Sequence, residues 1–299
     1  MFDDRDMARV EQVVRRVAAE QIMPRYGRLA DADVSEKKPG DLVTIADHAA
    51  ERELTRELTA LLPGSVVVGE EAVAADPGVL DLLAGDAPAW IIDPIDGTAN
   101  FVDGSPRFTV LVALAHQGEL LASWTYAPAL DLIATARAGG GAWVDGERVR
   151  VRPPGPELRH LDVTVANPRW WKERDRRGFH ALARRGVSMA YYDTTGLDYI
   201  ALARGGRGAI VVTWDNPWDH AAGLLLVAEA GGVARTAAGV PFRLAGGNAL
   251  PLVAAADAEC TAAVLAAFAD EPATAHPLTI DLPPATQPPA PLAPAPAAR

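Results

Sequence analysis

Two carboxylates stand three residues apart in the segment Trp90-Ile91-Ile92-Asp93-Pro94-Ile95-Asp96-Gly97-Thr98, directly after a short apolar run. Asp93 and Asp96 can face one cavity, and hard divalent cations such as Mg2+ bind oxygen ligands of this kind. Gly97 and Thr98 add backbone N–H groups at a predicted helix start, which is a suitable seat for a phosphate. Taken alone, such a pair is also typical of an Asx turn followed by a helix cap.

Three further acidic residues stand at the ends of predicted elements. Glu70 follows the apolar run Val66-Val67-Val68, Asp219 lies in Trp218-Asp219-His220-Ala221-Ala222-Gly223, and Asp47 closes Asp41-Leu42-Val43-Thr44-Ile45-Ala46-Asp47. Each has a simpler interpretation. Glu70 could be a solvated loop acid, Asp219 an acid favoured by a helix dipole, and Asp47 an N-cap. For Asp47 a cap and a catalytic role are equally compatible with the pattern.

The string Asp93-Pro94-Ile95-Asp96-Gly97-Thr98 resembles the signature of the inositol monophosphatase family, within the lithium-sensitive, metal-dependent phosphatases. The segments around Glu70, Asp219 and Asp47 resemble other motifs of this family and occur in the family's order. The resemblance covers residues from about 8 to 268. It implies a layered α/β/α/β/α sandwich of the sugar phosphatase type, built from two tightly packed halves.

The same resemblance implies a role for each of these residues. Glu70, Asp93 and the carbonyl of Ile95 would bind a first Mg2+, and Asp93, Asp96 and Asp219 a second, with a third, weaker ion near Glu70. The resemblance makes Thr98, Asp47, Glu70 and Asp93 the catalytic residues, with Thr98 and Asp47 positioning the attacking water. Gly97, Thr98 and Asp219 would contact the substrate. In such sites one ion lowers the pKa of water and another stabilises the leaving oxygen.

The sequence departs from the inositol-specific pattern at two places. Val212 stands where inositol-specific members have a glutamate that contacts sugar hydroxyls, and Asp215 or Asp198 could substitute for it. Asp193 stands before Thr194-Thr195-Gly196, where the family has a different segment. An additional carboxylate at Asp193 could favour a cationic group such as that of histidinol phosphate, or could face solvent.

Composition limits the possible partners. Lys and Arg total 28 against 39 for Asp and Glu, and the formal charge of -11 disfavours nucleic acid and anionic membrane surfaces as partners. An acidic protein with a phosphorylated substrate needs bound cations at its site. The single cysteine, Cys260, allows no internal disulfide and predicts a reducing cytoplasm. The first residues lack the pattern of a secretion signal, and no apolar run is long enough to predict a membrane span.

Periodicity predicts the elements that hold these residues. Helices are expected at 6–23, 46–62, 173–185, from 197, 218–230 and 258–268. Strands are expected at 66–68, 90–92, 108–115, 120–126, 132–136, 163–166, 188–192, 209–213 and 252–256. Gly139-Gly140-Gly141 and Asp145-Gly146 indicate turns of an antiparallel meander. We expect an N-terminal half at 1–156, a C-terminal half at 157–270 and a disordered Pro/Ala-rich tail at 271–299.

The sequence therefore predicts Mg2+-dependent hydrolysis of a small phosphate monoester. Inositol 1-phosphate is the first candidate substrate and histidinol phosphate the second, with fructose 1,6-bisphosphate and a nucleotide 3'-phosphate as further alternatives. A regulatory protein that keeps the fold and binds a macromolecule is the alternative of a different class. A homodimer is compatible with the resemblance.

Overall fold

The computed structural model describes residues 2–153, 158–191 and 194–269. Eight α-helices lie in this part of the chain: α1 Asp4–Val17, α2 Ile45–Leu61, α3 Glu70–Ala75, α4 Thr98–Val102, α5 Glu173–Arg184, α6 Thr195–Ala203, α7 Pro217–Glu229 and α8 Ala258–Ala269. A π-helical turn, Ala18–Ile22, continues α1. The helix predicted for residues 6–23 is thus confirmed as α1 with its π-helical extension.

The strands form a hairpin and two larger sheets. The hairpin pairs β1 Val34–Lys38 with β2 Asp41–Thr44. The seven-stranded sheet follows chain order: β3 Val66–Gly69, β4 Ala89–Asp96, β5 Thr109–His116, β6 Glu119–Ala127, β7 Leu132–Arg137, β8 Gly141–Val144 and β9 Glu147–Val149. Strand β3 is parallel to β4. Each neighbouring pair from β4–β5 to β8–β9 is antiparallel, as the meander prediction requires.

The second sheet has five strands and a mixed topology. It contains β10 Asp162–Val165, β11 Ser188–Ala190, β12 Ala209–Val212, β13 Val233–Thr236 and β14 Leu252–Ala255, in the spatial order β11-β10-β12-β14-β13. Strands β10, β11 and β12 are parallel, whereas β14 is antiparallel to both of its neighbours. This sheet lies entirely within the predicted C-terminal half.

Helices and sheets alternate in five layers. Helices α1 and α2 pack on the outer face of the seven-stranded sheet, and α6 and α7 pack on its inner face. The five-stranded sheet covers the other side of α6 and α7, and α5 and α8 close its outer face. Separate apolar clusters fill the interfaces, because each sheet presents apolar side chains on both faces. The predicted α/β/α/β/α sandwich is confirmed.

Some local predictions were wrong. Strand β4 was expected at 90–92 with Asp93 and Asp96 after its end, but it continues through both carboxylates. Its register against β5 shifts between these two residues, and this irregularity lets an extended strand carry both. Helix α3, directly after β3, and strand β13 were not predicted. Both are short and lack a periodic pattern of their own.

Two predictions fall outside the part of the chain that the structure describes. The boundary at 156/157 lies in the undescribed residues 154–157, so the division into two halves remains a proposal. The predicted Pro/Ala-rich tail at 271–299 also lies outside the described residues. Among the described residues, no helix has the length and apolar character required to cross a membrane.

Candidate metal centre and substrate cavity

Three carboxylates, two from one strand and one from a helix far along the sequence, meet at the site. Asp93 and Asp96 lie on β4, and Asp219 lies in the first turn of α7. This helix begins at Pro217, and proline is favoured at the first position of a helix. One ligand oxygen from each residue lies within 4.8 Å of the others. Such a group of carboxylate oxygens fits a hard divalent cation such as Mg2+, which prefers oxygen ligands.

The electrostatics of this cluster are unfavourable without a cation. Burial raises the pKa of Asp93 well above its ordinary value, and the charges of Glu70, Asp96 and Asp219 raise it further. Burial and repulsion by Glu70 and Asp96 raise the pKa of Asp219 to about 8, against hydrogen bonds from Asn216 and Trp214 that lower it. A bound divalent cation would remove this repulsion, so the cluster is suited to metal binding.

Asp96 is fixed by the start of α6. Its Oδ2 accepts hydrogen bonds from Thr109 Oγ1 at 2.8 Å, from Gly196 N at 2.8 Å and from the hydroxyl of Thr194. Its Oδ1 accepts one from Thr195 N at 3.2 Å. Helix α6 therefore binds a carboxylate of the seven-stranded sheet at its positive end, and this contact joins the middle layer of helices to that sheet at the site.

Glu70 lies beside the cluster at the first position of α3. Its Oε1 accepts a hydrogen bond from Lys37 Nζ at 2.5 Å, and the same ammonium donates to Glu71 Oε1 at 3.0 Å. Burial raises the pKa of Glu70, whereas Lys37 and a side-chain hydrogen bond with Asp93 lower it. Glu70 is outside the group of three carboxylates, and its role as a metal ligand stays a prediction.

Glu51 supports the short helix that carries Glu70. Its two carboxylate oxygens accept hydrogen bonds from Glu71 N and Ala72 N, each at 2.8 Å. Glu51 is buried and lies so close to Gly69 that a Cβ there would meet its carboxyl carbon at 2.3 Å. Burial raises the pKa of Glu51 to about 7. The helix N-terminus and this carboxylate together fix where α3 begins.

Asp47 is the N3 partner in the capping box of α2 and also reaches the site. The N-cap of α2 is Thr44, so the predicted N-cap role for Asp47 was wrong: it lies at the third helical position, and its Oδ2 accepts from Thr44 N at 2.8 Å. Its Oδ1 lies 3.4 Å from Thr98 Oγ1. Burial raises the pKa of Asp47 to about 7.

Thr98 lies between Asp47 and the predicted carbonyl ligand. Its hydroxyl donates to Ile95 O at 2.9 Å, a shorter contact than the one to Asp47. Gly97, the N-cap of α4, has a φ of +87°, a conformation that glycine adopts without strain. The tight turn from β4 into α4 is therefore compatible with the predicted roles of Gly97, Thr98 and Ile95.

A cavity of about 840 Å³ opens over the carboxylates. Besides the acidic cluster, apolar and indole side chains contribute to its lining: Val165, Ile210, Val212, Trp170, Trp214 and Trp218. Val212, at the end of β12, is 2% exposed. Asp198 also lines the cavity, whereas Asp215 accepts a hydrogen bond from Asn248 N at 3.3 Å. Asp193 lies outside the described residues.

Several residues of this site were not predicted from the sequence. Lys37 stands in a Lys-Lys-Pro-Gly stretch that is typical of any exposed turn, and Thr109, Thr194 and Trp214 lie in apolar or unremarkable segments. Glu51 was also not predicted, although its position could have indicated it: it stands four residues after Asp47 and therefore on the same face of α2. The other contacts join residues far apart in the chain, which one sequence does not show.

Comparisons with known proteins agree with this geometry. Residues 3–271 match the family model described as "Inositol monophosphatase family". A fructose-1,6-bisphosphatase/inositol-1-monophosphatase of Thermotoga maritima is 35% identical over 215 residues, 71% of this chain and 77% of that protein. An inositol-1-monophosphatase of Rhizobium meliloti is 34% identical over 229 residues, 74% and 82% of the two chains. The crystal structure of the extragenic suppressor protein SuhB from Bartonella henselae, at 26% identity, has a TM-score of 0.77 and covers 89% of this chain and 99% of its own.

Substitution of Asp219 by Asn should stabilise the metal-free protein at alkaline pH. Because the pKa of Asp219 in the folded state is about 8, above its usual 3.8, the folded state binds more protons than the unfolded state between these values. The stability of the metal-free wild type therefore falls as the pH rises through this interval. The variant lacks this loss. Near pH 8 we expect its free energy of unfolding without metal to exceed that of the wild type by about 2 kcal/mol, which corresponds to about 5 °C in Tm.

Thermal unfolding of chelator-treated protein, with and without added Mg2+, measures this effect. Added Mg2+ should raise the Tm of the wild type more near pH 8 than near pH 5. In Asp219→Asn most of this Mg2+-dependent rise in Tm should be absent. Asp103→Asn removes an exposed carboxylate at the end of α4 and serves as the matched control, with no change in either respect. A lower metal-free Tm for Asp219→Asn near pH 8 would contradict the repulsion argument.

Proposed function

The chain belongs to the inositol monophosphatase family, and on that premise we propose that it hydrolyses small phosphate monoesters at the cluster of Asp93, Asp96 and Asp219. The observation that supports this proposal is the meeting of two buried carboxylates and one half-buried carboxylate, within 4.8 Å of one another, in the lining of a cavity of about 840 Å³. Two to three Mg2+ ions would be held by Glu70, Asp93, the Ile95 carbonyl, Asp96 and Asp219. When bound, such ions supply Lewis acidity and lower the pKa of water.

Thr98 and Asp47 would position the water that attacks phosphorus. The hydroxyl of Thr98 faces two acceptors of the chain, Ile95 O at 2.9 Å and Asp47 Oδ1 at 3.4 Å, so its lone pairs remain to accept a hydrogen bond from water. A pKa of about 7 makes Asp47 a base matched to neutral pH. The N–H groups of Gly97 and Thr98, at the start of α4, would hold the phosphate oxygens.

Inositol 1-phosphate is the first substrate that we propose, because relatives of this chain carry that activity in their names. Histidinol phosphate is the second, and the structure offers a specific reason to test it. Val212 and three indoles line the cavity, and an apolar lining supplies few hydrogen bonds to a polyol, whereas it packs well against a flat imidazole. Fructose 1,6-bisphosphate and adenosine 3',5'-bisphosphate complete the set of candidate esters.

Two further features of the protein remain proposals. The single cysteine, Cys260, suits a reducing compartment, and we propose a cytoplasmic location. We also propose a homodimer, with which the family resemblance is compatible. Sedimentation of the purified chain over a range of concentrations would test the dimer.

Phosphate release from the four esters, with and without Mg2+, tests the proposed function. We expect Mg2+-dependent turnover of at least one ester and no turnover after chelation, because the repelling carboxylates need a cation to bind an anionic substrate. Binding of Mg2+ without turnover of any ester would contradict the hydrolase and favour the regulatory binding protein.

Removal of the Thr98 hydroxyl should slow the reaction without loss of the metals. Thr98→Ala should lower kcat about 100-fold or more, the usual scale for loss of a group that orients the proton transfer, while Mg2+ affinity changes little. Thr98→Ser keeps the hydroxyl and is the matched control, with kcat close to that of the wild type. A kcat for Thr98→Ala within a few-fold of the wild type would exclude this role.

A hydroxyl at position 212 should shift preference toward the polyol ester. Val212→Thr keeps the shape of the side chain and adds one hydrogen-bonding group, so we expect the ratio of kcat/KM for inositol 1-phosphate over histidinol phosphate to rise by up to about tenfold. Val211→Thr adds the same group to the opposite face of β12, in the core against α5 and α8, and should leave the ratio unchanged. Equal kcat/KM ratios in the wild type and both variants would show that the side chain at position 212 does not select the alcohol part of the substrate.

A further inference from the structure

The carboxylate of Asp219 is held by two donors on one oxygen. Trp214 Nε1 donates to Asp219 Oδ2 at 2.7 Å, and Asn216 Nδ2 donates to the same oxygen at 3.1 Å. A carboxylate oxygen that accepts two hydrogen bonds has little capacity left for a cation. Oδ1 is therefore the oxygen that Asp219 presents to the cluster. The indole makes the shorter of the two contacts, so it has the larger part in setting this orientation.

Trp214 is itself held through its backbone. The imidazole of His220 is completely buried, and its Nε2 lies 3.1 Å from Trp214 O. A carbonyl only accepts hydrogen bonds, so Nε2 carries the proton in this contact. In a neutral ring Nδ1 then accepts from the hydroxyl of Tyr199, 3.2 Å away. Each donor in this series therefore has an acceptor, and the order of the contacts is fixed: Tyr199, His220, Trp214 and Asp219.

Close packing restricts this series to one arrangement. The ring of His220 contacts those of Trp214, Phe242 and Tyr199, with centroid distances of 5.6, 5.4 and 6.2 Å. Tyr199 lies so close to α7 that a Cβ at Gly223 would meet its ring at 2.0 Å. Only a glycine allows this approach. The imidazole therefore has little freedom to rotate, and the carbonyl of Trp214 is held at one position.

We propose that Trp214 is a positioning residue for the metal centre, whose indole N–H fixes Asp219 so that only Oδ1 is offered to a cation. This inference rests on the proposed metal site, and it assigns to a cavity-lining indole a function separate from substrate contact. Partners that orient a metal ligand in this way raise metal affinity, because the ligand does not lose orientational freedom when the cation binds. Tyr199 and His220 would act through Trp214, at a greater distance from the cation.

The test is the Mg2+ affinity of the chelator-treated protein, measured by titration calorimetry and therefore independent of turnover. Trp214→Phe keeps an aromatic ring and removes the N–H, and we expect its Mg2+ dissociation constant to rise about tenfold. Tyr199→Phe should raise it less, because it acts two contacts away. Trp143→Phe is the matched control: Trp143 is a 39% exposed indole on β8, and its removal should leave Mg2+ affinity unchanged.

A second readout separates positioning from damage to the fold. If Trp214 acts on affinity, the Mg2+ concentration that gives half-maximal turnover should rise in Trp214→Phe about as much as its Mg2+ dissociation constant, whereas a disrupted site would not respond to added Mg2+. Unchanged Mg2+ affinity in Trp214→Phe, or turnover that added Mg2+ does not raise, would overturn the proposal. A different outcome would separate the two proposals. If the variants show the expected changes in Mg2+ affinity but the wild type hydrolyses none of the esters, the proposed function is contradicted and this inference stands.

Discussion

Mutual repulsion among buried carboxylates is the interaction that the surrounding structure has to overcome. Burial and neighbouring charges raise the pKa values of Asp93 and Asp219, so the metal-free site is costly in its ionised form. The fold offsets this cost with donors placed outside the cluster. Lys37 neutralises Glu70, the start of α6 holds Asp96, and the indole of Trp214 holds Asp219. A cation then completes a site whose ligands are already oriented.

The layered architecture explains how residues so far apart in sequence reach one point. Strand β4 carries two carboxylates through an irregular register, and α7, packed between the two sheets, brings Asp219 to them. Helix α6 lies in the same middle layer and directs its first N–H groups at Asp96. The site therefore depends on the contact between the seven-stranded sheet and the middle helices.

The acidic residues could be predicted from the sequence because they lie in short contiguous motifs that resemble those of the family, and the same resemblance implied the fold class. The string from Asp93 to Thr98 and the segment around Asp219 are contiguous, and the strands and helices that carry them have clear periodicity. The outer donors could not be predicted. Lys37, Thr194 and Trp214 reach the cluster across the chain, and their residue types occur as readily in ordinary turns and cores. The capping role of Thr44 rather than Asp47 was a further local ambiguity, since both are good acceptors at a helix start.

With the roles proposed for Val212 and Asp219, the connection from β12 to α7 would link substrate selection to metal geometry. Val212 ends β12 and lines the cavity, while Trp214 and Asn216, two and four residues later, hold Oδ2 of Asp219. A backbone movement that accommodates a larger alcohol near Val212 would also move the indole that orients the ligand. The packing of His220 against Trp214 opposes such a movement. Selectivity in this protein is therefore expected to change through side chains on β12 more readily than through the length or conformation of this loop, because the loop also determines how Asp219 meets the cation.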